Sequence, residues 1–145
     1  MVAVLVMVSY LVSGVATYRL VSSSATRFQA SSTTIQLNGD LDGLLALADR
    51  TVASQPFAAN LYAAEKNAEG QVKAELASLE SSGVGAHDLL AYRQLVHGLL
   101  VTVDRRSQLA STGRAADAAK LAGLQDRTSK TLVPVAVLLA KELRQ

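Results

Sequence analysis

An all-α fold, an N-terminal membrane-crossing helix continuing into an up-down-up-down four-helix bundle, is the class the sequence predicts, on three observations. Helix breakers are sparse, two Pro and nine Gly in 145 residues, so long helices meet few interruptions. Apolar residues recur at steps of three and four along most of the chain, the spacing of a single helix face. The first apolar run, VAVLVMVSYLVSGVATY from Val2 to Tyr18, carries no charge at all. Half the residues are hydrophobic yet only 4% are aromatic, with no Trp, so Ala, Leu and Val must build the core from thin, closely spaced layers. An all-β chain would need more turn punctuation and more β-branched or aromatic alternation.

The apolar run sets the first element. Its 17 residues rise about 26 Å as a helix, the lower limit for a bilayer core. Arg19 can extend its stem to the interface and let Leu20 and Val21 contribute. Residues 1–21 are therefore read as an anchor in the lipid bilayer and 22–145 as the bundle. Ser9, Ser13 and Thr17, with Gly14 alongside, form a stripe of small residues of the kind that lets membrane helices approach closely. The same hydroxyls equally fit bonds to their own i−4 carbonyls. A cleaved leader is the rival, with Ser23-Ser24-Ala25 as the cut site. No positive n-region precedes the run, however, and it exceeds the usual length of a leader's apolar core, so a retained anchor is expected. Arg19 and Arg27 follow the segment, which by the positive-inside rule alone places the bundle in the cytoplasm. The abrupt apolar start at residue 2 suggests upstream residues, and a basic stub among them would reverse that count.

Beyond the anchor, four helices are expected over about 22–54, 56–82, 88–111 and 115–144. Tyr18, Val21, Ala25, Phe28, Ser32 and Ile35 are spaced 3, 4, 3, 4, 3, a heptad seam that begins in the membrane segment and continues outside it. One helix crossing the interface is the reading, with dimerisation of two copies through this first helix. Asn38-Gly39 should weaken it, and Asp40 should cap a renewed start. Leu41, Leu44, Leu45, Ala48 and Val52 continue the apolar stripe until Gln55-Pro56 ends it. Pro56 suits the first turn of the second helix, whose buried face reads Phe57, Leu61, Ala64, Ala68, Val72, Leu76 and Leu79. Glu65, Lys66, Glu69, Lys73, Glu75 and Glu80 fall off that seam, with Glu69 and Lys73 a favourable i,i+4 pair. Gly83 suits a helix C-terminus.

Asp88 is the expected N-cap of the third helix, which buries Leu89, Tyr92, Val96, Leu99, Val103 and Ala110, with Leu100 beside them. Ser111 to Arg114 breaks it. The fourth helix carries Ala118, Leu121, Leu124, Leu132, Val135, Leu138, Leu139 and Leu143, and Pro134 should kink it. Helices of about 35 to 45 Å, each apolar on one side and joined by short loops, must bury those sides against antiparallel neighbours.

Charge and composition exclude several functions. Fourteen basic against twelve acidic residues leave +2, and the basic residues are scattered, so nucleic acid is not an expected partner. Without cysteine there is no disulfide and no thiolate chemistry. His87 and His97 are the only histidines, ten residues apart, so no metal site is expected. There is no Gly-rich phosphate loop, GxSxG or HExxH, and no enzyme activity and no cofactor are expected. Glu65, Glu69 and Asp49 are the candidates for acid–base work, but the pattern places no two of them together on an inward face. Arg93 and His97, with Arg105 and Arg106 beside Asp104 further along the third helix, are the candidate donors for an anionic ligand, against the plainer reading of a solvated helix face.

A membrane helix running into a four-helix bundle, followed by RRSQLASTGRAADAAKLAGLQ from Arg105 to Gln125, resembles the periplasmic four-helix-bundle sensor domains of bacterial methyl-accepting chemotaxis receptors and sensor kinases. Thr112-Gly113-Arg114-Ala115-Ala116-Asp117-Ala118 stands where such domains carry a short Gly-containing gap before an Ala-rich helix start. The resemblance implies an extracytoplasmic bundle on a single-pass anchor in the cell membrane, recognising a small-molecule ligand without catalysis. It assigns no ligand-binding residue. Sensors of that kind continue into a second membrane helix and an output module, whereas Leu132 to Ala140 is only nine residues long, too short to span. The chain is then either a fragment of a longer receptor or a free-standing single-pass protein signalling through a partner membrane protein. The alternative function is a membrane-anchored helical adaptor or structural protein that binds another protein.

Overall fold

The computed structural model describes the backbone of residues 2–54, 56–83 and 85–144, with the side chains of 2–21 and 86–88 outside the description. Four helices follow in order: α1 Val2–Ala53, α2 Ala59–Ser81, α3 Ala86–Ser111 and α4 Ala115–Glu142. No strand occurs among the described residues. α1 packs chiefly on α2, and α3 chiefly on α4. The two hairpins then meet through contacts of α1 with both α4 and α3 and, more sparsely, of α2 with α3. Among the described residues, no helix is long and apolar enough to cross a membrane. The expected span, residues 1–21, and its stripe of Ser9, Ser13 and Thr17 lie outside the described side chains.

The core is a stack of aliphatic layers around one aromatic ring. Leu37, Leu41, Leu44 and Ala48 from α1 meet Val72, Leu76 and Leu79 from α2, then Leu89, Tyr92, Val96, Leu99 and Val103 from α3, and Leu132, Ala136, Leu139 and Leu143 from α4. Tyr92, the largest fully buried side chain, donates its hydroxyl to Asn38 Oδ1 at 3.1 Å.

Asn38-Gly39 does not interrupt α1. Leu37 and Leu41 on either side are fully buried, and their packing outweighs the roughly 1 kcal/mol that a helical Gly costs. Asp40 therefore caps nothing; its carboxylate accepts from Gln71 Nε2 at 3.1 Å. The outer seam is oriented opposite to the core: Ala25, Phe28, Ser32 and Ile35 are all exposed, while Ala30, Ser31 and Thr34 face inward.

α2 starts three residues later than Pro56 suggested. Ser54 bridges the gap, donating to Thr51 O at 2.7 Å and accepting from the Ala58 N–H at 3.0 Å. Its buried line is Glu65, Glu69, Val72, Leu76 and Leu79, so the sequence-read seam is right only in its second half. Phe57, Leu61, Ala64 and Ala68 are half-buried. Phe57 instead meets Tyr62, ring to ring at 5.7 Å, beside the loop. α3 begins at Ala86 behind Gly85, which places Asp88 inside the first turn rather than at the cap. In α4, Leu124 and Leu138 are half or more exposed and Gln125 is buried, and the helix runs through Pro134 without ending.

The α3–α4 connection closes on a left-handed glycine. Gly113 has φ 76°, its N–H bonds Ala110 O at 3.1 Å, and the Arg114 N–H bonds Leu109 O at 2.8 Å. This is the paired 5→2 and 6→1 pattern of a Schellman cap. A Cβ at Gly113 or at Gly39 would meet nothing within 4 Å, so only backbone preference separates the two sites. Gly113→Ala is expected to cost about 1–2 kcal/mol through left-handed strain. Gly39→Ala, in regular helix, is expected to stabilise by about 0.5–1 kcal/mol. Urea denaturation of the two variants checks the opposite signs.

Candidate functional site

The least expected part of the interior is a polar layer in the half of the bundle nearest the α1–α2 and α3–α4 loops. All four helices contribute to it. Glu65 and Ser107 are fully buried, as is Thr51, and Glu69, Arg106 and Gln125 are nearly so. Heptad arithmetic puts aliphatic side chains there; what makes carboxylates tolerable is the set of partners that the neighbouring helices supply.

Glu65 is the centre. Ser107 Oγ donates to its Oε2 at 2.8 Å, while Oε1 is buried without a hydrogen-bond partner. Desolvation pushes its pKa up, against the opposing pull of the Ser107 and Thr51 hydroxyls and the nearby Lys66 charge. Glu69, one turn on, moves the other way. Burial would raise it, but Lys66 Nζ at 2.8 Å and Lys73 Nζ at 2.5 Å hold its carboxyl below the ordinary value. Lys66 also pairs with Asp104 of α3. Burial alone would lower its ammonium, and the bonds to Asp104 and Glu69 outweigh that and raise it. The ammonium further lies 5.5 Å from the Tyr62 ring centre, a cation–π distance.

Arg106 ties the remaining helices together. Its Nη1 bonds Asp49 of α1 and Gln125 Oε1 of α4 at 3.1 Å, and its Nε is buried without a partner. Two buried polar atoms without partners in one layer, one on an acid and one on a base, mark it as polarised but incompletely satisfied.

A second cluster lies further along the α1–α2 seam. Gln36 Nε2 donates to Glu75 Oε1 at 3.0 Å, and Glu75 Oε2 is buried without a partner. Desolvation and then the adjacent Asp40 raise the Glu75 pKa. Burial and the Glu75 charge raise that of Tyr92.

The structure brings Glu65 and Glu69 together on an inward face, and Asp49 reaches the same layer through Arg106. The expectation that no two of these carboxylates meet there is thereby corrected. The physical reason is that the α2 seam is rotated so that these two glutamates occupy core positions. Arg93 and His97 stand elsewhere: both are exposed on α3, and Arg93 Nε pairs with Glu80 Oε1 at 3.0 Å. His87 lies outside the described side chains. Arg106, a candidate anion donor by sequence, is instead buried and spent on Asp49 and Gln125, and Ser107, which the pattern does not single out, is buried beside it. Their sequence signal is faint: Ser107 follows Val96, Leu100 and Val103 at helical steps of four, three and four.

Chemically, this layer can bind and release protons and hold four helices in one register. Among the described residues, no group of three or more His, Cys, Asp or Glu side chains is arranged to hold a metal ion. Comparison of the chain with protein-family models, with curated proteins and with solved structures yields no match.

Proposed function

We propose that this chain is a membrane-anchored, non-catalytic sensory domain: an extracytoplasmic four-helix bundle of a bacterial signal-transduction protein that recognises a small-molecule ligand. The observation that carries the reading is the continuity of α1. One helical backbone runs from Val2 to Ala53, so the uncharged stretch Val2–Tyr18 and the first helix of the bundle share an axis. A ligand that changes how α1 packs against α2 and α4 would move that axis, and the shift is limited by the ligand's differential affinity for the two packings. Dimerisation belongs to the same reading: Ala25 and Ser32 stand exposed on the outward face of α1, with Phe28 and Ile35 beside them. The polar layer belongs to the same reading, because its hydrogen bonds and ion pairs join all four helices into one coupled network.

The adaptor reading rests on a different surface. Val101 and Leu90 of α3 are 69% and 46% exposed, apolar area suited to a partner protein.

Two measurements test the proposal. The full chain, expressed in bacteria, is expected to remain in the membrane pellet through alkaline carbonate extraction. A thermal-shift screen with small carboxylic acids, amino acids and amines is expected to find a class that raises Tm. A ligand at one hundred times its Kd would add about 2.7 kcal/mol. Release by carbonate removes the anchor, and a folded chain stabilised by none of these classes removes the sensory role.

A further inference from the structure

The interface between α1 and α4 carries a groove that the polar layer does not use. It consists of three hollows in line. The first, about 670 Å³, lies at the α4 C-terminal end between Arg27, Phe28 and Arg144. The second, about 590 Å³, shares Arg144 and is floored by Ile35, Ala136, Val137 and Ala140, with Lys141 on its edge. The third, about 130 Å³, shares Asn38 and Val137 with the second and reaches core residues Leu41, Leu99 and Leu132. From Arg144 to Val133 the groove follows α4 for about 16 Å.

Its charge is divided between the ends. Among the described residues, Arg27, Lys141 and Arg144 form no ion pair. Arg144 is tethered, its Nε donating to the buried Ser31 Oγ at 3.1 Å, which leaves the end of its guanidinium to the groove mouth. Asp42 borders the far, narrow hollow. Cations at one end, an aliphatic floor and a carboxylate at the other complement one kind of occupant and fix its direction. The geometry points to a single-chain anionic amphiphile, a medium-chain carboxylate of the fatty-acid class, with its head at Arg27 and Arg144 and its tail along Ile35 and Val137 toward Leu132.

A second copy of the chain fits this groove less well. A second copy with its first helix parallel to this one, the orientation that dimerisation through α1 gives, would bring its own Arg27 and Arg144 to the same end of the groove, like charges at close range. The outward stripe through Ala25 and Ser32 lies on the far side of Phe28 and Ile35 from α4, by the 3.6-residue turn of α1, and is open to such a partner separately. The inference goes beyond the sensory reading and does not need the anchor; carbonate release of the chain would leave it standing.

The test uses the full chain in phosphatidylcholine nanodiscs and a dodecanoic acid bearing a terminal diazirine. Photolysis is expected to label α1 and α4 peptides around residues 35–45 and 129–137. Excess dodecanoate should compete the label away, and dodecyltrimethylammonium should not. Replacing both cations, Arg27→Gln with Arg144→Gln, should weaken competition at least about tenfold, the scale of one lost charge-assisted bond. Val137→Trp, at an exposed position, should fill the groove and abolish labelling with Tm unchanged. Equal competition by the cationic detergent, or labelling confined to residues 1–21, overturns the proposal. So does labelling indifferent to both variants. Cysteine cross-linking of Ile35→Cys to Val137→Cys between two copies, without labelling, gives the groove to a second chain and overturns it too.

Discussion

Tyr92→Ala is expected to destabilise the bundle by about 3–5 kcal/mol, the cost of truncating a fully buried aromatic side chain. Tyr92 is completely inaccessible and lies in a core otherwise made of Leu, Val and Ala. With so few aromatics, no neighbour is large enough to collapse into the space, and a chain of this size should lose roughly 10 °C or more in Tm. Tyr92→Phe separates packing from hydrogen bonding. It keeps the ring and removes only the hydroxyl donated to Asn38, which is half-buried and can turn to water, so about 1 kcal/mol is expected. Parallel urea titrations measure both. A Tyr92→Ala loss below the Tyr92→Phe loss would mean that the ring is not seated in the core.

The second large effect concerns protons. Glu65 has a raised pKa in the folded bundle, so the folded state holds its proton more tightly than the unfolded chain does. Its penalty is absent below the unfolded value of 4.5. Above that, stability falls as pH rises, until the folded-state pKa is passed and the full cost of a buried carboxylate is in place. Glu65→Gln keeps an acceptor for Ser107 and removes the charge. It is expected to stabilise the protein at pH 8, by about 1–3 kcal/mol for a desolvated and incompletely bonded group, and to change little at pH 4. Glu75, also raised, contributes a slope of the same sign, so Glu65→Gln flattens the profile only in part. Glu69 has the opposite sign. Its lowered pKa gives stability that is present above 4.5 and lost as pH falls through the folded value. Glu69→Gln should therefore hurt at pH 7 and be nearly silent under strong acid. Thermal melts of the parent and the two single variants from pH 3 to pH 8 decide the matter. A parallel profile for Glu65→Gln and the parent would show that Glu65 does not titrate in a buried environment.

Much of the architecture was legible because helix punctuation is local. Gly83 and Gly113 both adopt positive φ where the sequence ended a helix, and Leu89, Tyr92, Val96, Leu99 and Val103 lie buried at the spacing that marked them. The site was far less legible. A Glu at helical spacing reads as solvated surface, because burial of a carboxylate costs several kcal/mol unless partners are supplied. The partners of Glu65 and Glu69 come from Ser107 and Lys73 as well as from the adjacent Lys66, residues separated by up to 42 positions. No local window contains that information. Leu124 and Leu138 fail in the reverse direction: their hydrophobicity marked them as core, and the rotation of α4 that buries Gln125 and Ala136 turned them outward.

What the chain determines by itself is a set of four long, Ala/Leu/Val-faced helices and the positions of their breaks. Helix propensity, glycine stops and three–four periodicity act within a turn or two of each residue. What only the assembled bundle decides is the rotation of each helix about its axis. That angle is set by how the side chains of all four interlock, and a turn of one residue's width exchanges leucine for glutamate in the interior. Through that angle the tertiary structure buries Glu65 beside Ser107, sends the Phe28–Ile35 seam outward, and opens a groove beside Arg144 that no single helix encodes.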